Sequence, residues 1–292
     1  MFIIIITVFI LLLLSILIFF LFGKEKCQDN NADVDGINYS QIVEIINPLD
    51  NTLFFWENSN FTTNNWPDPY YDIHEKKFIF EKCKFNKPNH GIIDVGAHIG
   101  DLAIPLALAL TNIGRRDIIV YAIDPSKEKC DFMKKMAKIN SIENIRILNY
   151  GLSDSEQIMG HDANDLNFKN TGSQKWEKKI NDSVEYNKTT YDDERTLFVT
   201  TDSLFLKKEI GPIGIYHIDV EGHEIELLNG SKALIDKFKP LIFIESFINI
   251  SSSYDKCKSK EECPDLFNLL DNISYNLSGF LPNGDLFFSP KK

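Results

Sequence analysis

Gly91-Ile92-Ile93-Asp94-Val95-Gly96-Ala97-His98-Ile99-Gly100 is a short apolar run that ends in an acid and a glycine turn. A continuous apolar run of this length reads as a strand buried on both faces, as in parallel sheets. Residues 100–112 then read as a helix, DIIVYAID (117–124) as a second strand, and 126–140 as an amphipathic helix with its lysines outward. IRILNYGLS (145–153), IGIYHIDV (213–220) and PLIFIES (240–246) supply three further strands, with helices expected over 223–237 and 264–271. Tyr275 to Ser289 reads as two strands around the turn Pro282-Asn283-Gly284-Asp285. Strands alternating with helices predict an α/β fold, a mostly parallel, doubly wound sheet closed by a C-terminal antiparallel hairpin.

The domain so defined covers residues 89–292. Residues 155–196 interrupt its alternation with a polar stretch rich in Asn, Lys and Asp, expected to be an insertion or lid. Residues 51–88 form an N-terminal extension whose Trp56, Trp66, Tyr70 and Tyr71 are expected to pack on the core, the commoner role of aromatics at that density.

Ahead of these lies Phe2 to Phe22, apolar apart from Thr7 and Ser15. At about 1.5 Å per residue it is about 30 Å long as a helix, a bilayer core's thickness. No basic residue precedes it and no A-x-A pattern comes after it, so residues 1–23 read as an uncleaved transmembrane anchor rather than a signal peptide. Residues 24–50 read as a polar stalk. Lys24 and Lys26 favour a cytosolic position for the domain C-terminal to the span. Against them stand N-x-S/T sequons at Asn38, Asn60, Asn181, Asn187, Asn249, Asn272 and Asn276, of which composition alone would produce about three. With Cys257 and Cys263 close enough in sequence to bridge in an oxidising compartment, a single-pass membrane protein with a lumenal catalytic domain is the expectation, and the side stays open.

A net charge of −11 argues against nucleic acid as a partner. The five cysteines contain no CxxC pair, so a structural zinc site is not expected, and no motif compels any metal.

Ligands of doubly wound sheets bind beyond the carboxyl ends of the strands. Asp94, Gly96, His98 and Gly100 are therefore candidates for holding a cofactor: Gly96 permits the tight turn and Gly100 a close backbone approach. His98 stands in the place of the second glycine of a dinucleotide fingerprint, which leaves a poor seat for a pyrophosphate. S-adenosylmethionine has no phosphates and tolerates the change. Asp124, at the end of the second strand, is positioned to bind a ribose; capping the next helix before Pro125 is its other reading.

A second motif, His217-Ile218-Asp219-Val220-Glu221-Gly222-His223-Glu224, is followed by Leu227-Leu228-Asn229-Gly230 and then by Pro240 and Glu245. It resembles the hallmark of the FkbM-type methyltransferases, K-I-D-V-E-G-x-E, L-x-G, P-x-x-x-x-E. The cofactor loop, Gly151-Leu152-Ser153-Asp154 and Thr201-Asp202-Ser203-Leu204 resemble the same family, so the likeness covers about residues 89–290. It implies a Rossmann-like class I methyltransferase fold preceded here by the transmembrane helix, S-adenosyl-L-methionine as cofactor, and O-methylation of a hydroxyl on a glycan or small molecule. Two positions depart from the pattern: His217 stands where Lys is usual and His98 where Asn is frequent.

His217, Asp219 and Glu221 alternate along the fourth strand and so point the same way. Ionisable groups there are costly unless they serve a site. Asp219, Glu221 and His217 are thus the candidate catalytic residues, one of them taking the hydroxyl proton; a hydrogen-bonded structural cluster is the competing account. His223 reads as a surface turn residue, Glu224 as either a site residue or a helix-end acid, and Glu245 as a contact to the acceptor. Two other functions fit the fold: a nicotinamide-dependent enzyme, disfavoured by the missing glycine, and a non-catalytic membrane-tethered binding protein, disfavoured by the intact motifs.

Overall fold

The computed structural model describes residues 39–64, 68–160, 177–178, 195–246 and 256–291. The strands are β1 (Ile42–Ile46), β2 (Leu53–Glu57), β3 (Gly91–Val95), β4 (Val120–Ile123), β5 (Ile145–Leu148), β6 (Gly151–Leu152), β7 (Gln157–Gly160), β8 (Glu177–Lys178), β9 (Thr196–Val199), β10 (Ile213–Ile218), β11 (Leu241–Ile244), β12 (Tyr275–Phe280) and β13 (Leu286–Pro290). The helices are α1 (Asn60–Asn64), α2 (Ile73–Lys84), α3 (Ala103–Asn112), α4 (Lys127–Ile139), α5 (Thr201–Leu206), α6 (Glu224–Asn229), α7 (Lys232–Phe238) and α8 (Pro264–Asn272).

The main sheet has the order β12-β13-β11-β10-β3-β4-β5. Only β13 is antiparallel to its neighbours, so the other six strands share one direction. Every residue of β3 and β4 is buried, as strands covered on both faces require. From β3 the chain builds outward to β5, then returns to β10 on the other side of β3. That reversal puts the switch point, where such sheets bind ligands, between the ends of β3 and β10.

α3 carries apolar residues on nearly every side because the sheet and the N-terminal segment cover it from two directions. Its Pro105 costs no hydrogen bond, since it lies in the first turn. The side chain of Asn47, fully buried, donates to the Pro105 carbonyl (2.9 Å) and accepts from Leu49 N–H.

Several expectations change. Residues 39–50 lie within the presumed stalk, yet β1 and buried Asn47 and Leu49 belong to the folded unit. Of the extension's aromatics, Trp56 is in the core, Tyr70 and Tyr71 are exposed, and Trp66 lies outside the described residues. The strand expected over 145–153 breaks after Leu148. Gly151 and Leu152 leave the main sheet to pair with β9 in a second sheet of order β6-β9-β7-β8. Gly151 lies under the Phe198 ring, where a Cβ would come within 2.3 Å. The helix expected over 223–237 is two helices, because at Gly230 the chain packs against the Ser153 carbonyl, 1.9 Å from an added Cβ. Most of 155–196, the presumed lid, lies outside the described residues, as does the whole of Phe2–Phe22. Among the described residues no helix is long and apolar enough to cross a membrane.

Asn47→Ala should lower stability by about 1–3 kcal/mol, because it leaves the Pro105 carbonyl buried without its donor. Urea unfolding measures this; an unchanged midpoint would mean that residues 39–50 behave as a stalk after all.

Candidate active site

The two sequence motifs meet at the switch point. Gly96, with φ of 75°, lies against the backbone of Asp219, so closely that a Cβ would stand 1.7 Å from the Asp219 carbonyl oxygen. The glycine is therefore required by the packing of β3 on β10 as well as by its turn. Gly100 also has positive φ (82°), but its Cβ space is filled by Met133 and Ile104. It serves the packing of α3 against α4.

His98 has φ of 52°, a conformation more usual for Asn or Gly, and is buried with no hydrogen bond to either ring nitrogen. Burial, with Lys129 and Lys76 nearby, keeps the ring neutral by moving its pKa well below the usual value. Its backbone N–H donates to Asp124 Oδ2 (2.9 Å), while Asp124 Oδ1 accepts from Ser126 N–H (2.8 Å). Asp124 thus shapes both the cofactor loop and the start of α4, and each oxygen retains a lone pair for another donor. Burial raises its pKa.

His217 Nδ1 lies 2.7 Å from Asp94 Oδ1, and its Nε2 makes an ion pair with Glu75 Oε1 at 3.5 Å. Burial opposes charge on this imidazole, but the two carboxylates outweigh it and raise its pKa well above the usual value. Glu75 moves the other way, its pKa lowered by His217 against the effect of burial. Held between two carboxylates, His217 is tied to the fold through Asp94 and Glu75. It is a buried cation where the family pattern has Lys, and that explains the departure. Asp94 Oδ2 remains buried without a hydrogen bond.

Asp219, Glu221 and Glu245 place ligand oxygens within 4.8 Å of one another. Burial, then the adjacent Glu245, raise the Asp219 pKa well above the usual value. Lys256 Nζ bridges Glu245 (2.7 Å) to Asp285 (2.6 Å), and Asn283 Nδ2 donates to Glu75 Oε2 (2.8 Å) and Asp72 Oδ2 (3.2 Å). Asp285 is pushed up to about 7 by burial and by Glu75. Tyr71, beside Asp72, is within electrostatic reach of Glu245 and Asp219, so the 68–72 loop borders the carboxylates.

Glu75, Tyr71, Lys256, Asn283 and Asp285 did not stand out in the sequence. They come from a helix ahead of the motifs, a polar stretch and a hairpin turn, with no spacing that links them to β10. Glu224 caps its own turn, accepting from Gly222 N–H (2.9 Å), with its pKa pushed up to about 7 by burial. His223 is half-buried rather than on the surface. Its Nε2 is 3.0 Å from Ser153 Oγ, and its ring packs edge-on against Phe198.

A family model for the methyltransferase FkbM domain matches residues 94–276, from the cofactor-loop aspartate into β12. The chain belongs to the FkbM methyltransferase family. No curated protein sequence matches it. Among solved structures it is similar to a methyltransferase FkbM from Methylobacillus flagellatus KT, with 15% identity and TM-score 0.42 over 77% of this chain and 56% of that one. The chain thus spans little more than half the length of that relative. A SAM-dependent methyltransferase from Aquifex aeolicus gives 11% identity and TM-score 0.41 over 76% and 93% of the two chains. The ribosomal protein L11 methylase from Lactobacillus delbrueckii subsp. bulgaricus gives 14% and 0.39 over 75% and 78%. Membership in a methyltransferase family displaces the nicotinamide alternative.

Three variants test the geometry. Gly96→Ala should unfold or loosen the domain along with the site, because the added methyl meets backbone rather than a yielding side chain; a variant with wild-type Tm would refute the contact. His217→Gln should cost about 3–5 kcal/mol by leaving buried carboxylates unpaired, and His217→Lys should recover much of it. Because the folded pKa of His217 is raised, its contribution is fully present below the unfolded value of about 6.5 and is lost as pH rises through the folded value. Wild-type stability should therefore fall on the alkaline side, and His217→Lys should move that fall to higher pH in denaturant titrations across pH.

Proposed function

We propose that this FkbM-family methyltransferase uses S-adenosylmethionine to O-methylate a hydroxyl of a glycan or small molecule, from a domain tethered to a membrane. The observation that carries the reading is the contact of Gly96 with Asp219, which brings the cofactor loop and the carboxylate cluster to one end of the sheet. The buried polar atoms of the loop fit the cofactor: Asp94 Oδ2 and the His98 ring lack partners, and Asp124 retains lone pairs for ribose hydroxyls. When bound, S-adenosylmethionine supplies an electrophilic methyl group.

The protein's own part is alignment and proton removal. The acceptor hydroxyl lies against the cluster of Asp219, Glu221 and Glu245, one of whose carboxylates takes its proton. Lys256 stabilises the charge on Glu245 and orients it. Glu221 and the exposed Tyr71 border the same place and contact the acceptor. His217 and Asp94 position β10 against β3.

The tether rests on the apolar run Phe2–Phe22. A lumenal side is supported by the Cys257–Cys263 disulfide and by the exposure of Asn60, Asn272 and Asn276, three of the sequon asparagines. Endoglycosidase treatment should then increase electrophoretic mobility; digestion of the domain by protease added to sealed vesicles would place it in the cytosol instead.

Calorimetric titration should show S-adenosylmethionine binding, weakened by about 1–3 kcal/mol in Asp124→Ala; no binding by the wild type would overturn the cofactor assignment. Asp219→Asn should lower turnover by about 10²–10⁴ with cofactor affinity nearly unchanged. The same variant should be more stable than wild type at pH 7. A raised Asp pKa means that the folded state holds a proton the unfolded chain has released, a cost absent in Asn. Normal turnover on the true acceptor would exclude Asp219 from the proton transfer.

A further inference from the structure

Exposed large apolar side chains are concentrated in one part of the chain. Among the described residues, seven of eleven lie between Tyr39 and Tyr71. Four of these lie on one surface, which also carries the exposed Glu44, the register partner of Phe55. Leu53 and Phe55 alternate along β2 and face outward, 60% and 43% exposed, while Phe54 and Trp56 between and beyond them are buried on the other face. Ile46, 51% exposed, is the register partner of Leu53, and Tyr70 joins it by donating its hydroxyl to the Ile46 carbonyl (2.7 Å).

The hairpin that carries this surface is firmly held. Asn140 at the end of α4 takes both backbone groups of Phe55, accepting from its N–H (2.7 Å) and donating to its carbonyl (2.8 Å). Lys135 pairs with Glu57. With Phe55 so capped, β2 presents its apolar outer face to a partner rather than an unpaired edge.

We infer that this face, Ile46, Leu53, Phe55 and Tyr70, rests on the surface of the lipid bilayer. The inference builds on the membrane-tether reading and adds an orientation to it. Nineteen residues separate Phe22, the last of the apolar run, from Ile42, the first of the hairpin. Even fully extended, that length of chain reaches no more than about 65 Å. The hairpin is the first described sheet element after the apolar run and is held near the bilayer by it, so even a weak apolar contact is populated. Aliphatic side chains with a tyrosine at their margin suit the lipid headgroup boundary, where tyrosine keeps its hydroxyl wet. The net charge of −11 opposes docking by attraction to anionic lipid, so the contact is an apolar one to a zwitterionic surface.

The test uses the full chain in a Cys27→Ser background, reconstituted at one copy per phosphatidylcholine nanodisc that contains nitroxide-labelled lipid. The remaining cysteines are buried or disulfide-bonded, so a fluorophore attaches only where a cysteine is introduced. A probe at Leu53→Cys should lose fluorescence to the nitroxide, and one at Asp236→Cys, exposed on α7, should not. Adding Ile46→Asn and Phe55→Asn, both on the exposed face and checked by circular dichroism, should restore the fluorescence at position 53. An unquenched probe at 53 in carbonate-resistant protein would overturn the inference while leaving the tether intact. A quenched probe in carbonate-extracted protein would remove the tether and leave the surface contact standing. Shielding of the probe only in discs that hold two copies would assign the face to a second copy of this chain and overturn the inference.

Discussion

The imidazolium of His217 holds the centre of this protein together. It sits on β10, pairs with Asp94 on the neighbouring β3, and reaches Glu75 on α2, a helix that precedes the parallel sheet in the chain. Two carboxylates and one cation in a buried space are tolerable only as a set: remove the charge and both acids lose their counterion where water cannot replace it. The pair ties the two strands that flank the switch point, and with them the cofactor loop to the acidic motif. A cation at this position is what matters physically, which is why imidazolium can stand in the place of a lysine.

From that centre the network continues through Asn283 and Asp285 to Lys256, Glu245 and Asp219. Its two ends differ in character. At the His217 end opposite charges are matched and the arrangement is structural. At the Asp219 end carboxylates crowd one another, and burial with that crowding raises the Asp219 pKa. Such crowding is unfavourable for folding, and it is the arrangement that acid–base sites use. The division sorts the acidic motif: His217, within β10, pairs with Asp94 and Glu75, while Asp219, just beyond the end of the strand, joins Glu221 and Glu245.

The glycines carry a comparable division. Gly96 and Gly230 bring backbone against backbone, at Asp219 and at Ser153. Gly100 and Gly151 make room for the side chains of Met133 and Phe198. Each marks a place where two elements approach more closely than a Cβ would allow. Together they seat the small sheet of β6, β7, β8 and β9 and the acidic motif around the loop after β3.

By itself the sequence determined the parallel strands and the order of the helices, because continuous apolar runs can be satisfied only between two covering layers. It also marked Asp94, Gly96, Asp124, Asp219, Glu221 and Glu245 as belonging near one sheet edge, since strand ends in such folds converge there. It did not separate helix 224–229 from helix 232–238, or the short β6 from β5. Both breaks answer contacts with residues distant in the chain, Ser153 in one case and Phe198 in the other. Nor could it show that residues 42–57 are a hairpin fastened to α3 and α4, or that His217 is charged. Hydropathy reports which residues leave water; which charge each buried group carries, and what it packs against, depends on partners that only the tertiary structure brings together.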